Sequence, residues 1–203
     1  MTTIAKRAYY DARPMPQALA ASYWRAFSGA RRVLDVGCGA GEFGRYAPAG
    51  IEVHGVDMDA GAVELASRFE RTRQADLDSE PLPYADEEFD AVLAKDVLEH
   101  VSDAGGLARE LHRVLRPGGV LVASVVMAKP RAVWADYTHV RGFTRRSAEL
   151  LLRDAGFDVE ATWPMGPLPL STRLDLFRVL PALLRVPGLS WWAHSWELKA
   201  VKR

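Results

Sequence analysis

The 203-residue chain carries 26 basic and 26 acidic side chains, 49% hydrophobic residues and a single cysteine, Cys38. That balance is ordinary for a soluble globular domain and lacks the net positive charge or basic stripe of a broad nucleic-acid surface. A lone cysteine excludes an internal disulfide and fits a reducing, cytoplasmic setting, and no basic leader or run of ~20 apolar residues suggests secretion or a membrane span.

A chain of this length buries roughly 70% of its unfolded surface and can fold without staples. Near the start, Leu19, Tyr23, Trp24 and Phe27 fall at near-helical spacing within Pro16–Ser28 and predict a packing helix over a cleft, with Tyr9 and Tyr10 preceding it. Arg31–Val36 reads as a buried strand, Gly37–Gly41 as a glycine-rich turn, and Glu42–Ala47 as the start of a helix. Ile51–Asp57 is a second strand, Ala60–Phe69 a helix, and Arg71–Asp76 a short third strand. Pro81 and Pro83 mark a loop before a fourth strand, Phe89–Lys95. Asp103–Leu115 has the apolar spacing of a helix, and Pro117-Gly118-Gly119 turns the chain into the β-branched run Val120–Val126. Ser147–Ala155 is a further helix stopped by Gly156, followed by a strand over Phe157–Thr162 and a linker over Pro164–Pro169. The tail Trp191–Val201 supplies a last strand. Strands alternating with helices in this way define parallel β-α-β units in a doubly wound α/β sheet.

The chemistry gathers at the first turn. Asp35-Val36-Gly37-Cys38-Gly39-Ala40-Gly41 lies where the first strand ends, and its glycines let backbone amides approach a ligand closely. Gly39-Ala40-Gly41-Glu42-Phe43-Gly44 alone also satisfies the G-x-G-x-x-G pattern of dinucleotide enzymes, which is a weak signal. Asp35 separates the readings: a carboxylate before the glycines repels a pyrophosphate and attracts the ammonium of a methionine moiety. Asp57, twenty residues after Gly37, ends the second strand and can take both ribose hydroxyls, while Asp76 can accept from an adenine amino group.

Together these residues resemble class I S-adenosylmethionine-dependent methyltransferases. Val33–Gly41 is similar to their first motif, Asp57 to their ribose-binding acid with Met58 packing on adenine, and Gln74-Ala75-Asp76 to their adenine-edge segment. Phe89–Val101 and Leu111–Ser124, with Arg116-Pro117-Gly118-Gly119 between them, resemble the family's fourth and fifth strands and the turn before the fifth. The resemblance covers residues 30–160. It implies a single domain over 1–203: a helical cap (1–30), a cofactor-binding core (31–126) and an acceptor-side region (127–203). It further implies a Rossmann-like sheet of seven strands, mostly parallel with one antiparallel strand near the C-terminus, and cofactor contacts from Asp35, Gly37, Gly39, Gly41, Asp57, Met58, Asp76, Leu77 and Lys95.

Ligands in such sheets bind beyond the carboxyl ends of the strands, where Lys95-Asp96-Val97-Leu98-Glu99-His100 follows the fourth strand. Methyl transfer from a sulfonium is an in-line displacement, and a base is needed only when the acceptor must lose a proton. His100 is one candidate base, against the reading that it caps or packs a helix. His139 is a second, in Tyr137–Thr144, a segment similar through Gly156 to quinone-pathway O-methyltransferases; the alternative is an ordinary loop hydrogen bond. Asp96, Glu99, His100 and His139 also resemble the magnesium-holding set of some O-methyltransferases, including small-RNA 2′-O-methyltransferases, with the shorter Asp96 as a departure and a metal-free charged strand end as the alternative.

Trp134, Trp163, Trp191, Trp192 and Trp196 all follow the fifth strand, on the side expected to face acceptor, and Arg173–Val186 is apolar with interspersed arginines. Residues 164–196 read either as a lid over an aromatic or lipid-like acceptor, with possible membrane contact, or as a cover for the sheet edge or a subunit interface. Arg141, Arg145 and Arg146 read as a solvated helix start or a small phosphate site. The leading expectation is methyl transfer to a small-molecule oxygen by a monomer or homodimer. RNA methylation and a non-catalytic cofactor-binding scaffold are the rivals.

Overall fold

The computed structural model describes residues 15–166 and 193–203. Tyr9, Tyr10, Trp191, Trp192 and most of the 164–196 segment lie outside the described residues. The elements in chain order are α1 (Gln17–Ala26), β1 (Arg32–Val36), β2 (Glu52–Asp57), α2 (Ala60–Ala66), β3 (Arg71–Gln74), β4 (Phe89–Lys95), α3 (Ala104–Val114), β5 (Leu115–Val126), α4 (Pro130–Val133), α5 (Arg145–Asp154), β6 (Phe157–Met165) and β7 (Ser195–Lys202).

The strands form one seven-stranded sheet in the order β3-β2-β1-β4-β5-β7-β6. β1 pairs in parallel with both β2 and β4, β2 with β3, and β4 with β5. β7 runs antiparallel to both its neighbours, as the seven-strand expectation with one reversed strand requires. The chain winds outward from β1 to β3 and then crosses back to β4 on the other side of β1. This reversal opens a crevice at the carboxyl ends of β1 and β4, where Asp35 and the glycine loop lie beside Lys95.

Both faces of the sheet are covered, which is why its central strands are continuous apolar runs. On one face α3 contributes Leu107, Ala108, Leu111 and Val114 to a core that includes Leu34, Val92, Leu121 and Leu198. Each fully buried leucine is worth roughly 1.5–3 kcal/mol over an exposed one. Asp103 starts α3 by accepting from the Gly106 N–H at 2.7 Å, and Thr144 and Ser147 form a reciprocal capping box on α5. On the other face α1 buries Tyr23 and Trp24 against Phe43, whose ring stacks on that of Trp24 at 4.2 Å between centroids.

Three expectations change. The helix expected over Glu42–Ala47 is only a single 3-10 turn, Gly44–Tyr46. Pro48 favours extended backbone at Ala47 (ψ 134°), and two glycines in the preceding stretch hold no helix together. Pro117-Gly118-Gly119 is not a separate turn but lies within β5, where the register with β4 shifts between Phe89 and Ala91 and Gly118 takes a φ of 76°. Pro164 is not in a linker; it is paired with Trp196 in β6, an edge strand in which a residue without an N–H is tolerated.

Candidate active site

The glycine loop is built by conformation. Gly37, Gly39 and Gly41 have φ values of 73°, 52° and 76°, a region that side chains with a Cβ rarely adopt. Space restricts two of them as well: a Cβ on Gly41 would stand 2.8 Å from the Ala66 Cα, and one on Gly37 would stand 3.3 Å from Val97. Asp57 fastens the loop to β2, accepting from the Gly39 N–H at 3.0 Å through one oxygen and from the Asp59 N–H at 2.9 Å through the other. Met58 is 60% exposed at the adjoining position. Asp76 lies two residues beyond the end of β3 and is exposed, with one oxygen accepting from the Asp78 N–H, while Leu77 is half-buried beside it and packs on the core.

Asp35, 4% exposed at the loop's base, is pushed up to about 7, chiefly by burial. A cationic ligand group is the partner that would favour its charged form. Together, the crevice, the three left-handed glycines and the buried acid fit a cationic nucleoside cofactor.

At the end of β4, Lys95 is engaged with Asp96 through its ammonium. Asp96 has a φ of 53° and also accepts from the Ser124 hydroxyl at 2.8 Å. Burial acts against its charge, yet Lys95 and Ser124 hold its carboxyl below the usual range. Glu99, 1% exposed, accepts from the Val126 N–H at 3.0 Å through Oε1, while Oε2 has no hydrogen-bond partner. Burial, then the charge of Asp96, pushes Glu99 up to about 8.

The structure brings His100 and His139 together, with ring centroids 4.7 Å apart. Val140 N–H donates to the Glu99 carbonyl at 2.9 Å, fixing the loop after β5 over the turn after β4. Hydrogen bonds assign both tautomers. His139 Nδ1 lies 2.8 Å from the Val133 carbonyl, which only accepts, so Nδ1 carries the proton. His100 Nδ1 lies 2.9 Å from the Thr138 hydroxyl, whose one hydrogen is given to Asp136 at 2.7 Å, so here too Nδ1 donates. Each imidazole therefore presents an Nε2 lone pair. Burial, then the neighbouring His139, holds His100 below the ordinary histidine value.

One donor atom each from Glu99, His100 and His139 lies within 4.8 Å of the others, a spacing that fits one divalent cation. Asp96 is not part of this group; its carboxylate is engaged by Lys95 and Ser124. Trp134 and Tyr137 are 72% and 73% exposed on the loop that carries His139. Trp163 and Trp196, expected near the acceptor, are part-buried against a small cluster of Met127, Met165 and Ala193. Arg145 pairs with Glu149 at 2.8 Å and Arg141 donates to the Ser102 carbonyl at 2.6 Å, in keeping with a solvated helix start.

Two buried acids were not singled out by the sequence. Glu197 of β7 accepts from the Tyr23 hydroxyl at 3.2 Å and is pushed up to about 7, first by burial and then by Asp96. Glu70 accepts from the Gly44 N–H at 3.0 Å beneath the glycine loop. A charged residue preceding or within a strand was the only local signal.

This arrangement defines the class first: an α/β enzyme domain binding a cationic nucleoside at a topological switch point. The comparisons then give the family. A methyltransferase domain model matches residues 34–123. The chain is 31% identical over 197 residues to the methyltransferase GfsG of Streptomyces halstedii, covering 83% of this chain and 69% of the relative. It is 31% identical over 158 residues to a ubiquinone biosynthesis O-methyltransferase of Pseudomonas syringae, covering 67% and 68%. A SAM-dependent methyltransferase structure from Archaeoglobus fulgidus superposes with a TM-score of 0.71 at 20% identity, covering 92% of each chain. The chain belongs to the class I S-adenosylmethionine-dependent methyltransferases. Its cofactor is S-adenosylmethionine. No helix among the described residues is long and apolar enough to cross a membrane.

Proposed function

We propose that the protein transfers the methyl group of S-adenosylmethionine to a hydroxyl oxygen of a small-molecule acceptor. The observation that carries this reading is the pair of imidazoles, both fixed with Nδ1 protonated and Nε2 bare. A hydroxyl loses a proton as it is methylated, and a neutral imidazole at physiological pH is suited to take it. Trp134 and Tyr137 offer flat apolar surface beside His139 and favour an aromatic or lipid-like acceptor. Some relatives are named as O-methyltransferases of quinone and rifamycin compounds, which supports oxygen as the target. The neutral charge of the chain disfavours RNA. The cofactor supplies an electrophilic methyl; Asp35, Gly37, Gly39, Gly41 and Asp57 orient it, with Met58, Asp76 and Leu77 at the base. Lys95 acts here through Asp96 rather than on the cofactor, and a cytoplasmic setting remains part of the reading.

The test is tritiated-methyl transfer from the cofactor to a small-molecule extract, followed by identification of the labelled product. A labelled methyl ether that depends on His100 and His139 is expected. Label on nitrogen or on RNA, or cofactor binding without transfer, would overturn the reading.

One observation favours a variant: Glu99, His100 and His139 each bring one ligand atom within 4.8 Å of the others, and Glu99 Oε2 has no hydrogen-bond partner. Two nitrogens and one oxygen suit a divalent transition metal better than magnesium, which prefers oxygen ligands. Such an ion would acidify the acceptor hydroxyl. Activity that survives exhaustive chelation removes this variant and leaves the histidines as bases.

A further inference from the structure

The Glu70 carboxyl is housed as carefully as any group at the crevice. Gly44 and Gly55 leave it room, since a Cβ on Gly44 would stand 2.3 Å from Glu70 Cγ and one on Gly55 2.1 Å from Glu70 Oε2. Its Oε1 takes the Gly44 N–H, while Oε2 receives no N–H or O–H from a donor group. Oε2 fills the space above Gly55, whose register partner on the neighbouring strand β1 is Asp35, so the two buried carboxyls lie side by side within hydrogen-bonding reach. Two carboxyl oxygens in such contact need a proton between them, because neither carboxylate has a hydrogen to give. Two buried like charges side by side would otherwise repel in a poorly solvated setting.

We propose that Glu70 is a positioning residue that shares a proton with Asp35 behind the glycine loop, and that arrival of the cationic cofactor expels this proton to solvent. The inference rests on Asp35 facing the cofactor's ammonium. Without ligand, the pair holds its proton and Glu70 ties the loop through Gly44. When a positive group settles beside Asp35, it supplies the favourable charge the proton had provided, and the proton leaves as the cation enters. No bond to carbon changes and no other reactant is needed.

The charged neighbours are consistent. Asp57 on β2 raises Asp35 and Lys95 on β4 lowers it, while the Cys38 thiol beside Glu70 acts to lower Glu70 and gives its hydrogen to the Gly39 carbonyl at 3.8 Å. Asp35, Glu70 and Asp57 all raise the buried Cys38 thiol, so the thiol stays protonated and is not the group that titrates. Tyr84, whose hydroxyl donates to the Gly55 carbonyl at 3.0 Å, is pushed up by burial and stays neutral.

The test is calorimetry of S-adenosylmethionine binding in two buffers of different ionisation enthalpy, which counts protons released. The intact protein should release on the order of half a proton to one proton near pH 7, and affinity should rise between about pH 6 and pH 8 by no more than tenfold per unit. Glu70→Gln keeps the acceptor for Gly44 and can donate an N–H to Asp35, so it should bind with proton release near zero and affinity nearly flat in pH. Infrared difference spectra of the intact protein should show loss of a protonated-carboxyl band on binding, a readout that does not depend on the variant folding. Binding without proton release, or unchanged release in Glu70→Gln, would overturn the proposal. No binding at all would instead contradict the cofactor assignment.

Discussion

At the scale of single residues, the two imidazoles give the sharpest test of chemistry against scaffold. Glutamine at position 139 retains an N–H for the Val133 carbonyl but loses the basic lone pair. His139→Gln and His100→Gln should each lower kcat by about 10²- to 10⁴-fold, the usual worth of a positioned base. Cofactor affinity should stay within about twofold by calorimetry, because the Asp35–Asp57 end of the crevice is untouched. If both histidines serve one proton transfer, the double variant should be little slower than the worse single one. Because burial and His139 hold His100 below the ordinary histidine value, kcat/KM for the acceptor at saturating cofactor should stay level through neutral pH and fall only on the acid side of it. A rate that drops already near neutrality would show that another group is the base.

Residues defined by strand ends are readable from the chain. Asp35 announces itself one residue before the glycine turn, and Asp57 as the acid on which the second strand stops. Glu70 and Glu197 do not, because their meaning comes from distant partners: Glu70 from Gly44 and Asp35, Glu197 from Tyr23 on α1. The bare Nε2 atoms also depend on Thr138, Asp136 and Val133 folding back over the β4 turn. No local pattern encodes that.

At the scale of elements, the glycine loop is restricted by both conformation and space, and Gly41→Ala separates these from simple flexibility. Its φ of 76° costs about 1–3 kcal/mol for a residue with a Cβ, and contact with the Ala66 backbone at 2.8 Å allows little relief. The variant should unfold at lower temperature and bind S-adenosylmethionine at least tenfold more weakly, by calorimetry. Thr144→Ala is the counterpart away from the site. It removes half of the α5 capping box at a cost of about 1 kcal/mol, or a Tm loss of about 2–4 °C, with cofactor affinity unchanged. An unchanged Tm would mean that packing of Ala148 and Leu152 alone holds the helix.

The elements show what periodicity can and cannot reach. β1, β2 and β4 are largely buried runs bounded by turn residues, and their ends agree with the expectation to within a residue. The short helix after the loop failed because Gly44 and Pro48 outweigh three helix-compatible residues, while Gln74 ends β3 before Asp76 because only β2 pairs with it. Pro164 misled for the opposite reason: proline reads as a linker unless one knows that its strand is at the sheet's edge.

At the scale of the whole molecule, the buried acids shape stability as well as chemistry. Asp35 and Glu197 are each pushed up to about 7 and Glu70 also lies well above its ordinary value, burial being the largest cause in all three. These groups hold protons more tightly in the folded chain than in the unfolded one. The folded state therefore carries more protons, and stability falls as pH rises from the ordinary carboxyl range toward 7. Asp96 and Glu110 act in the opposite sense, since their lowered values give stability that is lost only on strong acidification, and the lowered His100 and His112 offset part of the fall below the ordinary histidine value. The cofactor-free protein should thus be most stable near about pH 5 and lose several degrees of Tm by about pH 8, as calorimetric scans can measure. Saturating S-adenosylmethionine at about 100 times its Kd should add about 2.7 kcal/mol at either pH. At equal cofactor concentration the gain should be larger at the higher pH, because a cation beside Asp35 relieves the repulsion that deprotonation creates. Glu70→Gln should shrink both the loss and the difference in gain. A cofactor-free Tm that rises from pH 5 to pH 8 would show that these acids are ionised without penalty, and that water reaches the base of the glycine loop.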